Sequence, residues 1–310
     1  MDTMCAEETV KDQAMPTAEN KPAKQGSIEF YSDGLTIRGE LRLPQGAGPF
    51  PIVVLAQGLG ALKEWTIPQV VDALVEVGIA GLSFDYRNFG DSEGEPRQEV
   101  AHYGRLEDWQ NAISFATSLP EIVPQRVGIW GTSLGGRDVL AVAVLDRRVK
   151  VVVSQTPLIK WTHTTAARMA GYGDNLERYQ RELAEDRQNR ALGKKPKYVP
   201  FVKASGDDVK KAFIEGLSKA ELRNYDGRLT LQTYQPTVLT DVTTFMGLIS
   251  PAPLRVILAE EDFLPGQREA YEEAREPKSL VMVKGNHFSP YLESKSESIK
   301  AATDWFVEHL

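Results

Sequence analysis

The sequence predicts an α/β protein: a mostly parallel central sheet with helices on both faces, interrupted by a helical insertion. Three observations carry this. Between residues 51 and 153, apolar runs alternate with stretches of helical spacing in the order strand, helix, strand, helix, strand, helix, strand. The alternation stops after Pro157, and residues 158–250 contain no continuous buried-strand run. It resumes at Leu254 and continues to the C-terminus.

Residues 1–26 are polar, contain Pro16 and Pro22, and read as a flexible tail. SIEFY (Ser27–Tyr31) and LTIRGELRL (Leu35–Leu43) alternate apolar and polar around Ser32-Asp33-Gly34, which predicts a hairpin. PIVVLA (Pro51–Ala56) is unbroken apolar sequence, as for a strand covered on both faces, and it ends at Gln57-Gly58-Leu59-Gly60. Ile67, Val70, Val71, Leu74 and Val75 then follow helical spacing until Gly78. IAGLSFDY (Ile79–Tyr86) is the next buried strand, and it runs into a polar, glycine-punctuated loop from Arg87 to Gly94. Leu106, Trp109, Ala112, Ile113 and Ala116 share one helical face before Pro120. Val127, Ile129 and Trp130 lead into a sharp turn, Gly131-Thr132-Ser133-Leu134-Gly135, after which Val139, Leu140, Ala143 and Val144 form a helical stripe. Val149–Val153 is a further strand.

Within the insertion, Leu176, Tyr179 and Leu183, and later Val209, Phe213 and Leu217, recur at helical spacing amid many charges. LRVILA (Leu254–Ala259) is a strand ending in Glu260-Glu261-Asp262, followed by a short helix from Gln267 to Ala274. SLVMV (Ser279–Val283) ends in Gly285-Asn286-His287, and Ile299, Ala302, Trp305 and Phe306 line a final helix. The expected organisation is a core from residues 27–157 and 251–310, with residues 158–250 as a helical cap. The cap would lie over the carboxyl ends of the strands, where the functional loops of such sheets are found.

The bulk composition narrows the function. The 310 residues are 42% hydrophobic and 25% charged, ordinary for a globular chain. A net charge of −7 without any long basic run argues against a nucleic-acid partner. The one cysteine, Cys5, excludes a disulfide framework and a cysteine metal site, and fits a reducing compartment. The N-terminus has no apolar signal-peptide core, and no stretch of about twenty apolar residues exists. A cytoplasmic protein without membrane contact, metal or cofactor is therefore expected.

The chemistry concentrates at three strand ends. A G-x-S-x-G turn between strand and helix lifts the Ser133 hydroxyl above the sheet. A serine hydroxyl is a weak nucleophile and needs a base within hydrogen-bond reach. Of the four histidines, His309 sits on the fraying C-terminus, His102 in a loop before a helix, and His163 at the start of the insertion. Only His287 follows the last core strand. The acids after the next-to-last strand are Glu260, Glu261 and Asp262. A serine, an acid and a histidine thus each follow a predicted strand, on one rim.

From about residue 27 onward the chain resembles the α/β-hydrolase superfamily, whose members carry Ser, acid and His in this order. FDYRNFGDSEGEPR, and the hairpin followed by IVVLAQGLGALKEW, resemble its dienelactone-hydrolase and S15-peptidase-like branch. Fungal cluster-encoded hydrolases and polyketide transferases share this layout. The resemblance implies Ser133 as nucleophile, His287 as general base and Asp262 as the acid that orients it, with Glu260 and Glu261 as alternatives. It places the oxyanion on the backbone N–H groups of Leu134 and Leu59. Gln57 stands where family members often carry histidine, which leaves open how that turn is held. The implied activity is cleavage of an ester or thioester of a small apolar or polyketide-like acid through an acyl-enzyme on Ser133. The implied partner is a small acyl substrate, which includes a carrier-bound polyketide. Passing the acyl group to an acceptor other than water is the alternative. A non-catalytic receptor or scaffold is a third reading, because fold alone does not settle function. Trp65, Trp161 and His163 are candidates for the substrate pocket. Substrate identity and oligomeric state are not fixed by these residues.

Overall fold

The computed structural model describes residues 24–203, 208–237 and 241–310. Most of the expected tail, including Cys5, lies outside them. Strands β1 (Lys24–Ser32) and β2 (Leu35–Leu43) form the hairpin, with Ser32 opposite Leu35. Residues 24–26, expected in the tail, are therefore paired strand. Asp33 and Gly34 make the turn with φ of 50° and 78°, the left-handed pair that a tight two-residue hairpin requires.

The core continues through β3 (Phe50–Ala56), α1 (Ile67–Glu76), β4 (Ala80–Phe84), α2 (His102–Ser118), β5 (Ile122–Thr132), α3 (Leu134–Leu145) and β6 (Val149–Gln155). The next segment holds α4 (His163–Met169), α5 (Leu176–Ala191), β7 (Tyr198–Pro200), α6 (Asp208–Glu215) and β8 (Arg228–Thr230), then 3₁₀ turns at Leu231–Tyr234 and Thr243–Leu248. Strands β9 (Leu254–Ala259) and β10 (Lys278–Val283), with helices α7 (Gln267–Glu273) and α8 (Lys295–His309), complete the chain. The eight-stranded sheet has the order β1-β2-β4-β3-β5-β6-β9-β10, parallel from β4 onward. β7 and β8 pair antiparallel as a separate small sheet.

The continuous apolar strands are explained by two packed layers. Ile52, Val54 and Val152 face one core with Trp109 and Ile113 of α2 and Leu140 of α3. Val53, Leu55, Val151 and Val153 face the other, with Leu74 of α1 and Trp305 and Phe306 of α8. Each strand thus alternates between two buried faces, so no polar alternation survives in its sequence. The chain leaves β3 to pair β4 on one side and returns to place β5 on the other. That reversal opens a crevice at the carboxyl ends of β3 and β5, the place where α/β sheets hold ligands. Ala56 of β3 lies opposite Gly131 of β5, so the Gln57-Gly58-Leu59 turn meets Ser133 there. Among the described residues no helix is long and apolar enough to cross a membrane.

Candidate active site

Ser133 occupies a backbone conformation that side chains rarely adopt, φ 56° and ψ −118°. Such a residue costs about 1–3 kcal/mol and persists only where its surroundings hold it. The Ser133 N–H donates to the Gln155 carbonyl at 2.9 Å, and its carbonyl accepts from Leu158 at 2.9 Å and Arg137 at 3.2 Å. The flanking glycines are steric requirements. A Cβ on Gly131 would collide with the Gly135 carbonyl, and one on Gly135 would stand 2.5 Å from the Gln57 carbonyl oxygen. A Cβ on Gly58 would come within 2.8 Å of the Ser133 Cβ. The turn after β3 and the elbow after β5 therefore interlock without room for a methyl group.

His287 stands four residues beyond the end of β10, in a loop turned at Gly285 with φ 94°. Asn286 closes that loop: its N–H donates to Ser289 Oγ, and its side-chain oxygen accepts from the Phe288 N–H, both at 2.9 Å. The His287 Nδ1 lies 2.9 Å and 3.1 Å from the two carboxylate oxygens of Asp262, and its Nε2 lies 3.1 Å from Ser133 Oγ. A carboxylate only accepts, so Nδ1 carries the proton and Nε2 presents its lone pair to the serine hydroxyl. Asp262 is fixed by the Leu264 N–H at 2.9 Å and by Gln267 Nε2 at 3.1 Å. Of the three acids after β9, Asp262 is the one brought to His287, while Glu260 and Glu261 are exposed. Leu134 opens α3, where the first N–H groups have no partner earlier in the helix. Leu59 is buried and lines a cavity together with Ser133 and His287.

That cavity, about 70 Å³, is walled mainly by aromatic and aliphatic side chains, including Trp65, Phe201, Phe213, Phe288 and Tyr291. Of the candidate pocket residues, Trp65 lines it. Trp161 is buried elsewhere, stacked on Tyr234 with its N–H on the Tyr234 carbonyl at 3.2 Å. His163 is exposed at the start of α4. Met169, Phe201 and Phe213 line the cavity from the segment between β6 and β9, where they look like any other apolar residue in sequence. Phe263 and Phe288 also line it, and the signal for them was available: each directly follows a site residue, Asp262 or His287.

Gln57 holds its own turn. Its amide nitrogen donates to the Trp65 carbonyl and, at 3.0 Å, to Thr66 Oγ1, while its backbone carbonyl accepts from buried Arg105 at 3.1 Å. The neighbouring loop is fixed by Lys63, whose ammonium contacts Glu64, Asp85 and Asp91 at 2.7–2.8 Å. Three carboxylates that could surround a cation are thus already gathered around an ammonium ion.

His102 is not in a loop but is the first residue of α2, and it is buried. Its Nε2 is 3.0 Å from the Thr233 carbonyl, and its Nδ1 faces Arg137 at 3.3 Å. Burial, reinforced by Arg137, lowers its pKa from the usual 6.5 to about 3. Both ring nitrogens are engaged, so this histidine fastens the segment after β6 to α2. Burial raises the Tyr291 pKa to about 12, so its hydroxyl keeps its proton behind the elbow, bonded to Thr132.

A sequence model described as the alpha/beta hydrolase family matches residues 53–301. The chain belongs to the α/β-hydrolase family. Among its curated relatives is the thiohydrolase aneE of Aspergillus aculeatus, 29% identical over 306 residues, which cover 94% of this chain and 95% of the relative. The polyketide transferase grgF of a Penicillium species is 28% identical over 307 residues, 95% of this chain and 99% of the relative. The crystal structure of the α/β-hydrolase GrgF from Penicillium sp. sh18 superposes with a TM-score of 0.78 at 26% identity, covering 92% of this chain and 99% of that one. The mostly parallel sheet with helices on both faces is accordingly an α/β-hydrolase fold.

Proposed function

We propose that this α/β-hydrolase cleaves an ester or thioester of a small apolar or polyketide-like acid through an acyl-enzyme on Ser133. The observation that carries the reading is the continuous chain from Asp262 through His287 to Ser133 Oγ, at 2.9 Å and 3.1 Å. Ser133 Oγ attacks the carbonyl carbon as His287 Nε2 takes its proton. Asp262 keeps the imidazole in the accepting tautomer and offsets the charge of the imidazolium. The oxyanion accepts from the N–H groups of Leu134 and Leu59, each worth about 3–4 kcal/mol of barrier. The imidazolium protonates the departing alcohol or thiol. His287 then takes a proton from water, whose oxygen attacks the acyl carbon, and the returning proton regenerates Ser133. Residues 158–250 act as the cap that shapes the acyl chamber. Names borne by relatives, thiohydrolase and polyketide transferase, favour a thioester substrate. The apolar chamber, which disfavours water, supports a second reading in which an acceptor nucleophile resolves the same acyl-enzyme. A cytoplasmic location fits this chemistry.

Labelling with a fluorophosphonate probe tests the nucleophile. Wild type is expected to label and Ser133→Ala to lose both labelling and, by about 10⁵-fold or more, turnover. Equal labelling of the two would reject Ser133. Product analysis with and without added alcohol, amine or carbon acceptors separates hydrolysis from transfer.

A further inference from the structure

Two backbone turns meet at Ser133, the elbow after β5 and the Gln57-Gly58-Leu59 turn after β3, and one side chain from a third element ties them together. Arg105 lies in the first turn of α2 and is buried. Its Nε donates to Asp138 Oδ2 at 2.7 Å, and its Nη2 donates to the Gln57 carbonyl at 3.1 Å. Asp138 is buried on α3, the helix that the elbow opens. Its other carboxylate oxygen accepts from Arg137 at 3.0 Å, which fixes the carboxylate from the far side. The guanidinium carbon lies 3.4 Å from the centre of the Tyr86 ring, so its face is packed as well as its edge. Tyr86 is in turn held by the Trp109 indole, which donates to its hydroxyl at 2.9 Å. Stability alone gives no reason for charges here, because well-packed apolar residues often replace a buried ion pair without loss. What an apolar residue cannot do is hold the Gln57 carbonyl. That oxygen is confined on its other side by the elbow helix, since a Cβ on Gly135 would stand 2.5 Å from it.

We propose that Arg105 is a positioning residue for the oxyanion hole: its guanidinium clamps the Gln57 carbonyl to α3 and so sets the place of the Leu59 N–H relative to that of Leu134. The inference rests on the acyl-enzyme reading, which assigns those two donors, and it adds a residue that touches no substrate. The clamped carbonyl belongs to the peptide that leads into Gly58 and Leu59, so its anchoring sets the path of the turn. A planar guanidinium donates in fixed directions to both partners. A lysine ammonium is a point charge on a flexible stem, able to neutralise Asp138 without holding Gln57. Donors of an oxyanion hole act on the charge that develops in the transition state rather than on the bound carbonyl. A loosened turn therefore costs kcat and leaves KM nearly unchanged.

Arg105→Lys and Arg105→Met separate this role from a purely structural one. Turnover of a short-chain acyl thioester is counted per site titrated with a fluorophosphonate, so unfolded protein does not enter the rates. In R105K kcat is expected to fall by about 10²-fold with little change in KM. Its thermal midpoint is expected to stay closer to wild type than that of R105M, which leaves Asp138 without this partner. A trifluoromethyl ketone binds Ser133 as a tetrahedral oxyanion, and its Ki is expected to rise by the factor by which kcat/KM falls. Wild-type kcat per titrated site in both variants would overturn the clamp. So would a loss carried by KM with unchanged affinity for the ketone, or a lysine that restores kcat together with stability. Failure of the acyl-enzyme reading is seen separately, as the same thioester turned over equally by wild type and Ser133→Ala.

Discussion

The rim of the sheet and the segment above it are built on different terms. At the rim, each functional side chain follows a strand end within a few residues, and its position is enforced by close backbone contact. Gly58, Gly131 and Gly135 leave no space for a methyl group, and Ser133 is held in its strained conformation by three backbone hydrogen bonds. The segment between β6 and β9 is joined to loops of the core by a backbone bond from the Thr230 N–H to the Gln98 carbonyl at 3.0 Å and by several side-chain bonds. The Trp65 indole donates to the Glu221 carbonyl at 2.8 Å, Tyr198 to the Arg97 carbonyl at 2.8 Å, and Arg190 pairs with Glu99 at 2.6 Å. On the proposed chemistry, the first arrangement fixes the geometry of the reaction, and the second shapes the space around it and tolerates exchange of residues more readily. Substitutions at the rim should therefore act on kcat, and those in the overlying segment on substrate choice.

The sharpest way to break this contrast is Asp262→Asn. An amide in that position reverses the hydrogen-bonding demand on His287 Nδ1, and kcat is expected to fall by about 10⁴-fold with little change in KM or in the circular dichroism spectrum. A drop confined to KM would mean that Asp262 shapes binding and does not orient the base. Phe213→Ala probes the other side. Phe213 packs against Phe288 and Tyr291, with ring centres 5.4 Å and 5.5 Å away, and it lines the cavity at Ser133. Its truncation is expected to favour longer or branched acyl groups over acetyl by severalfold in kcat/KM, at a stability cost of about 3 kcal/mol. A uniform loss across an acyl-length series, with unchanged thermal stability, would contradict that role.

The smallest expected effect concerns the joint between the two regions. In the folded chain His102 stays neutral down to about pH 3, whereas in the unfolded chain it takes up its proton near 6.5. Between those values the unfolded state binds more protons, so stability falls as pH falls, by at most about 1.4 kcal/mol per pH unit from this group. The contribution is fully present above pH 6.5 and is lost on the way to pH 3. Urea titrations between about pH 7.5 and 5 should show a shallower decline for His102→Gln than for wild type. Parallel declines would remove His102 from the acid response.

Much of the core was legible because local rules sufficed. The Asp33-Gly34 turn, the unbroken apolar strands and the order of Ser133, Asp262 and His287 all follow from short stretches of sequence. The role of Gln57 was not legible, since its partners Trp65 and Thr66 reach it through a turn whose path depends on Lys63 and Asp85. Trp161 was misleading for a similar reason. Its place at the start of the segment suggests a pocket wall, but Tyr234, far along the chain, stacks on it and takes it into the core.

By itself, then, the sequence determined the alternation of strands and helices, the elbow, and which side chains follow which strand, because steric and periodic rules act over a few residues. Only the tertiary structure decided that Asp262 meets His287 while its neighbours Glu260 and Glu261 face solvent. It also decided that Met169, Phe201, Lys210 and Phe213 converge above Ser133. Those outcomes depend on contacts between residues distant in the chain, for which no local spacing carries a signal. The chamber at Ser133 is therefore a product of packing, while the elbow that carries the serine was apparent from five consecutive residues.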